Sequence, residues 1–274
     1  MTCKLTDPQI QRLREYGHEP KNDSEFETEE ERDKAFTKMM SKLQRENEKG
    51  IRDMIANPRH HRLMELELQL SEALIKEGFI EVKTPILISK AELAKMTIDE
   101  NHPLYQQVFW VDEKRCLRPM HAINLYNIMR ELRGHTDGPV KFFEIGSCFR
   151  AESHSNDHLE EFTMLNLVDM GPQGDTTEKI KHYIDVVMKT VGLDYELVHE
   201  ESDVYKETID VEVDGEEVCS AAVGPHYLDK AHNVNEPWCG AGFGLERLIM
   251  MRDGDGSVKK TGKSVNYLNG YKIN

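Results

Sequence analysis

The sequence predicts an α+β fold built on a mainly antiparallel sheet flanked by helices. Three observations carry this. Strand signals come in consecutive pairs, KFFEIGSCFR (141–150) with EEFTMLNLVDM (160–170), and VYKETIDVEV (204–213) with EEVCSAAVG (216–224). The second pair is joined by Asp214-Gly215, a dipeptide suited to a tight primed turn. The glycine-rich stretch GAGFG (240–244) lacks both the GxGxxG spacing and the strand-helix-strand setting of a dinucleotide fold, so a doubly wound sheet is excluded.

The elements follow in order. Residues 1–50 read as an N-terminal helical extension packed on a main domain, residues 51–274, that includes a C-terminal tail. Within the extension, Ser24 and Glu27 form a capping box for a helix running toward Lys49 and Gly50, with Phe36, Met40 and Leu43 at helical spacing. A second helix spans about 60–77, buries Leu63, Leu66, Leu70, Ala73 and Leu74, and stops at Gly78. FIEVKTPILI (79–88) alternates as a strand interrupted by Pro85, which places it at an edge or an interface. QVFWVDEKRCL (107–117) reads as another strand, and residues 119–133 as a third helix ended by Gly134. Asp175 and Glu178 cap a helix that runs to Gly192. GAGFGLERLIMMR (240–252) passes from strand to helix.

The 274 residues carry a net charge of −15, which argues against a nucleic-acid partner over most of the surface. The exception is residues 257–274, with four lysines and no acid; KKTGK (259–263) is either a solvated loop or a local basic contact. No apolar run approaches the roughly 18 residues of a membrane span, and the N-terminus lacks a signal-peptide pattern. The five cysteines form no CxxC and are odd in number, consistent with reduced thiols in the cytoplasm.

Chemistry concentrates in FRAESHSNDHLEEF (149–162). His154 and His158 are spaced for a metal only if the segment is helical. Ser153, Ser155, Asn156 and Asp157 are turn formers between two strands, so no metal pair is expected. Arg150 is either half of a solvated pair with Glu152 or a phosphate clamp. On the following strand Phe162, Met164, Asn166 and Val168 share one face. Asn166 is then either a core amide satisfied by backbone or a hydrogen-bonding group in an apolar pocket. Cys148 and Cys219 read as packing residues.

Three segments together resemble a known family. GFIEVKTP (78–85), FRAE with its loop and Phe162, and GAGFGLER (240–247) look, in this order and spacing, like motifs 1, 2 and 3 of the class II aminoacyl-tRNA synthetases. LRPMHAINLYNIMR, HLEEFTMLNLVDMGP, ESDVYKETIDVEV, CSAAVGPHYLD and YLNGYKIN resemble the catalytic domain of the pyrrolysyl-tRNA synthetase family over nearly the whole chain. The likeness is to its short archaeal forms, which lack a separate N-terminal tRNA-binding domain, and none is expected here.

The resemblance implies a class II catalytic fold over residues 51–274, ATP and Mg²⁺ as cofactors, and an aminoacyl-tRNA ligase forming AMP and pyrophosphate. Its partners would be pyrrolysine or a related Nε-acyl-lysine, a cognate amber-decoding tRNA and a second copy in a homodimer. Arg150, His158 and Arg247 would serve ATP, with Arg150 and Arg247 catalytic. Glu152 would contact adenine, Phe162 and Arg247 would sandwich it, Gly242 and Gly244 would let the backbone approach the nucleotide closely, and Leu159 would also contact ATP. Glu217 and Ser220 would hold Mg²⁺ with the phosphates. They are three apart, so a bulge or a strand start must bring them to one face. Ala122, Leu125, Tyr126, Met129, Val168, Ala222 and Trp238 would line the amino-acid pocket, Asn166 would bind the side-chain carbonyl, and Tyr205 would close as a lid. His121 and Ile123 depart from the common Leu and Pro, and His121 would be polar lining or surface. The competing functions are a same-fold ligase for another amino acid or small acid, and a catalytically silent binding module. The motif residues disfavour the second of these.

Overall fold

A seven-stranded sheet forms the centre of the protein, in a computed structural model that describes residues 2–18, 20, 25–151, 158–202 and 206–274. In chain order the elements are α1 (Asp7–Glu15), α2 (Glu29–Ala56), α3 (Arg62–Lys76), β1 (Ile80–Glu81), β2 (Leu87–Ser89), α4 (Lys90–Lys95), β3 (Arg115–Leu117), α5 (Ala122–Arg133), β4 (Val140–Phe149) and β5 (Glu161–Met170). There follow α6 (Thr176–Val191), β6 (Glu196–Ser202), β7 (Lys206–Val213), β8 (Glu216–Gly224), β9 (Trp238–Gly244), α7 (Leu245–Asp253), β10 (Tyr267–Leu268) and β11 (Tyr271–Lys272). The main sheet runs β1-β4-β5-β9-β8-β7-β6. Within this sheet only β1 pairs in parallel, at the edge, and the chain leaves the ladder before Pro85, which has no N–H to give it.

Alternation along the strands separates two cores. One face carries Phe143, Ile145, Leu165, Leu167, Cys219, Ala241 and Phe243 against α3, α6 and α7. There α3 buries Leu66, Leu70 and Leu74 completely, each worth roughly 1.5–3 kcal/mol. Asp175 caps α6 by accepting from Thr177 N and Glu178 N, and Gly192 ends it at φ 84°. The opposite face carries Phe142, Val168, Ala222 and Trp238 against α4 and α5. Asp214 and Gly215 both adopt positive φ in the β7–β8 turn, as the primed turn demands.

Several boundaries differ from the sequence reading. Ser24 lies outside the described residues; Thr28 is the N-cap of α2, accepting from Glu31 N at 3.2 Å. Gly50 does not end that helix. It lies so close to the Tyr271 ring that a Cβ there would sit 2.0 Å from it, so this glycine serves close approach. Residues 107–117 form a turn and a short hairpin, not one strand. Asp112 Oδ1 accepts from Lys114 N, Val111 N donates to Arg115 O, and Trp110 bridges Cys116. Helix α5 starts at Ala122 and not at Pro119, because Arg118 N still bonds Ile86 O in extended backbone, the conformation favoured before proline. Strand β6 was not expected; its acidic ELVHEES suits a charged sheet edge.

The N-terminal helices enclose a small core of Leu5, Leu13 and Met40, with Phe36 and Leu43 against it. Asn47 locks α2 to the C-terminal hairpin by exchanging hydrogen bonds with the Lys272 backbone at 2.8 and 2.7 Å. Glu15 holds the Lys272 ammonium.

Candidate active site

The sheet face beside α5 is the floor of a cavity of about 460 Å³. Every expected site residue within the described set lines it; Glu152 and Tyr205, like His154, lie outside that set. At one end, one face of α5 contributes Ala122, Leu125, Tyr126 and Met129, and the sheet contributes Asn166, Val168, Ala222 and Trp238. Toward the other, Arg150, His158, Leu159 and Phe162 come from the β4–β5 hairpin, with Glu217, Ser220, Gly242, Gly244 and Arg247 beyond them.

Strand register explains how residues distant in sequence meet. Glu144, Asn166, Gly242, Ser220 and Asp210 are successive partners across β4, β5, β9, β8 and β7. They form one row across the sheet face that floors the cavity, polar except at Gly242, and all but Glu144 line the cavity itself. The register shifts between Val211 and Glu212, which makes Val218 an extra residue on β8. Val218 and Cys219 are therefore both buried in the opposite core, and Glu217 and Ser220 return to the same face. A bulge thus resolves the three-residue spacing. A Cβ on Gly242 would meet Asn166 Nδ2 at 2.6 Å, so any side chain there would displace the Asn166 amide. At Gly244 the nearest atom to such a Cβ is 3.9 Å away, which leaves the backbone open to the cavity.

The polar end is rich in charge. Arg247 Nη1 donates to Glu217 O at 2.6 Å, and Arg150 Nε donates to Pro119 O at 3.0 Å. The Arg150 guanidinium lies 5.3 Å from the centre of the Phe162 ring, a cation–π arrangement. Burial, and then the neighbouring Asp210, push the Glu217 carboxyl above its ordinary range; Arg247 and Arg150 only partly offset this. Asp210 accepts from Ser220 Oγ at 2.7 Å.

Asp210 and Thr208 escaped the sequence reading, although Thr208, Asp210 and Glu212 alternate as polar positions of one strand. So did Asp229, buried in sequence that reads as loop. It accepts from Tyr126 Oη at 2.9 Å, Trp238 Nε1 at 2.9 Å and His226 N at 2.6 Å. One carboxylate thereby fixes two walls of the apolar end. His232 stacks on Tyr126 at 4.1 Å. His121 is neither surface nor lining: it is fully buried and outside the cavity wall.

Glu246 has the most displaced carboxyl among the cavity residues. Burial pushes it up to about 7, although both oxygens share the Thr163 N–H at 2.9 Å. In the folded chain it keeps its proton to that pH, whereas the unfolded chain loses it near the ordinary glutamate value. Its contribution to stability is therefore full at acid pH and is lost as pH rises through about 7. Glu246→Gln should remove that loss. Relative to wild type, its stability in urea titrations of ligand-free protein should improve by about 2–3 kcal/mol between about pH 5 and about pH 8. Parallel pH profiles for the two proteins would contradict the assignment.

Comparison with known proteins places this geometry. The family model for the phenylalanyl tRNA synthetase beta chain CLM domain matches residues 53–238. A threonine–tRNA ligase of Wolbachia sp. subsp. Drosophila simulans is 33% identical over 100 residues, 34% of this chain and 15% of its own length. A lysine–tRNA ligase of Saccharolobus solfataricus is 35% identical over 121 residues, 42% of this chain and 22% of its own length. The chain thus spans a minor part of these curated relatives. A crystal structure of pyrrolysyl-tRNA synthetase from Desulfitobacterium hafniense superposes with a TM-score of 0.92 at 42% identity, covering 98% of both chains.

Proposed function

Because the chain belongs to the pyrrolysyl-tRNA synthetase family, we propose that it is a pyrrolysine–tRNA ligase. It activates pyrrolysine, or a related Nε-acyl-lysine, with ATP and transfers the aminoacyl group to an amber-decoding tRNA. The observation that carries this reading is one continuous cavity with a long apolar end containing Asn166 and a charged end containing Arg150, Glu217 and Arg247.

In the first step a substrate carboxylate oxygen attacks the α-phosphorus of ATP. The new O–P bond forms as the bond to the bridging oxygen breaks, and pyrophosphate leaves. The nucleophile is already an anion, so no general base is needed; positioning and charge neutralisation supply the rate. Arg150 and His158 hold phosphate oxygens. Phe162 and Arg247 sandwich the adenine, Glu152 receives its amino group, and Leu159, Gly242 and Gly244 border it. Glu217 and Ser220, with Asp210, form a hard-oxygen set that would hold Mg²⁺, and the Glu217 carboxyl, raised by burial and by Asp210, would be favoured in its charged form by a bound cation. When bound, Mg²⁺ supplies further neutralisation of phosphate charge.

At the other end Ala122, Leu125, Tyr126, Met129, Val168, Ala222 and Trp238 enclose the lysine chain and its ring, Asn166 binds the amide carbonyl, and Tyr205 closes over it. The exposed apolar residues Met64, Leu68 and Ile75 on α3, Ile80 on β1, and Ile86 and Leu87 after Pro85 suit a homodimer interface. The tRNA meets the N-terminal extension, residues 1–50. The tail lysines are less available than their sequence implies. Lys260 is buried against Asp255 at 2.7 Å, Lys263 pairs with Glu161 at 2.6 Å, and Lys272 with Glu15. The unpaired cysteines suit a reducing cytoplasm.

ATP–pyrophosphate exchange with a panel of amino acids tests this reading. Exchange is expected with Nε-acyl-lysines, and Asn166→Ala should weaken their use at least about tenfold while sparing the KM for ATP. Exchange driven only by a standard amino acid would overturn the substrate assignment.

A further inference from the structure

Behind Asn166 lie buried hydrogen-bonding atoms without a partner among the described residues: Nδ1 and Nε2 of His121 and Oδ1 of Asn166 itself. His121 is held where it is by α5. Its carbonyl accepts from Asn124 N at 2.9 Å and Leu125 N at 3.1 Å, so the turn that presents Ala122 and Leu125 to the cavity also plants the imidazole beneath it. The imidazole rests on β4 at Gly146. A Cβ there would come within 2.6 Å of Arg118 Nη2 and 3.5 Å of His121 Nε2. The groups that act on the imidazole are Arg118 before α5, Glu144 on β4, Lys83 after β1, and the nearby side chain of Asn166 on β5. Burial, then Arg118, lower its pKa to about 4, so it is neutral at working pH, with one donor and one acceptor nitrogen.

The acceptors around it are unequal. Glu144 is already engaged: Oε1 accepts from Thr84 N and Arg118 Nη1, and Oε2 from Thr84 Oγ1. Asn166 Oδ1 is buried and unused. Asn166 Nδ2 lies over Gly242, a residue of the cavity floor. We propose that His121 is a positioning residue for substrate selection. It donates its ring N–H to Asn166 Oδ1 and so fixes the side-chain amide with its NH₂ group turned to the cavity, as the donor to the substrate's acyl carbonyl. Without that bond the amide can rotate by half a turn and present its oxygen, which repels a carbonyl. The inference rests on the reading that Asn166 receives the Nε-acyl group.

The test compares an Nε-acyl-lysine with an Nε-alkyl-lysine of equal length, in ATP–pyrophosphate exchange. Wild type should prefer the acyl compound. His121→Leu should raise its KM about tenfold, leave the KM for ATP unchanged, and erase most of the acyl preference. His121→Gln, which keeps a donor, should restore most of both. Added to Asn166→Ala, His121→Leu should cause no further loss, because both act through one bond. Wild-type behaviour of His121→Leu, or losses that simply multiply in the double variant, would overturn the inference and leave the role of Asn166 standing. A wild type without acyl preference, unaffected by Asn166→Ala, would instead sink the reading of Asn166 and the inference with it. Should His121→Leu not fold, ¹⁵N-histidine NMR of the wild-type protein decides. A single neutral tautomer with a slowly exchanging ring N–H is expected, and a rapidly exchanging one refutes the bond.

Discussion

Arg150→Ala should lower the ATP–pyrophosphate exchange rate by about two to three orders of magnitude, the usual effect of removing one preorganised donor to developing charge. Arg150 follows β4, lines the cavity, and faces the Phe162 ring while its Nε is fixed on Pro119 O. That tether orients the guanidinium in advance, so in the proposed phosphate role no reorganisation would be needed as charge builds. Lysine should recover only a small part of the rate, because a point charge lacks the planar fork and the stacking. Stability should hardly change, since Arg150 is only partly buried. Steady-state kinetics beside a melting curve separates the two effects; a variant within about threefold of wild-type rate would remove Arg150 from the phosphate site.

The second large effect concerns stability. Arg118 and Glu144 form an ion pair at 2.8 Å with side chains 2% and 1% exposed. Arg118 also donates to Ser147 O and Thr84 Oγ1. Glu144→Ala leaves a guanidinium buried without its counter-charge and should destabilise the fold by about 3–5 kcal/mol. The double variant Arg118→Met with Glu144→Leu removes both charges at similar volume and should lie much closer to wild type. Urea unfolding of the single and double variants decides it. Equal destabilisation of both would show that lost packing, and not the uncompensated charge, sets the loss. Because Glu144 begins the polar row that contains Asn166, the single variant should also weaken amino-acid use beyond its effect on ATP.

The chain displayed its local preferences openly. The Asp214-Gly215 turn, the Asp175 cap, the leucine stripe of α3 and the alternation of β4, β5 and β8 are each set by a few adjacent residues. All appear in the structure at or within a few residues of the expected positions. Gly50 and residues 107–117 depart from the sequence expectation for a common reason. A glycine can mean a helix stop or a close packing partner, and the partner, Tyr271, lies far away in sequence. An apolar run can be a strand or two arms of a hairpin, and Asp112 decided between them.

Sequence by itself determined the fold class and singled out the motif residues, because side-chain type, spacing and turn propensity are local properties. Tertiary structure alone decided which of these residues share a wall. Cross-strand register aligned Asn166 with Gly242, Ser220 and Asp210. A bulge at Val218 turned Glu217 to the same side. Burial assigned His121, Asp229 and Glu246 their environments. Register, bulge and burial depend on partners tens of residues away, and the hydrogen-bonding and solvation energies that fix them exist only once those partners have met.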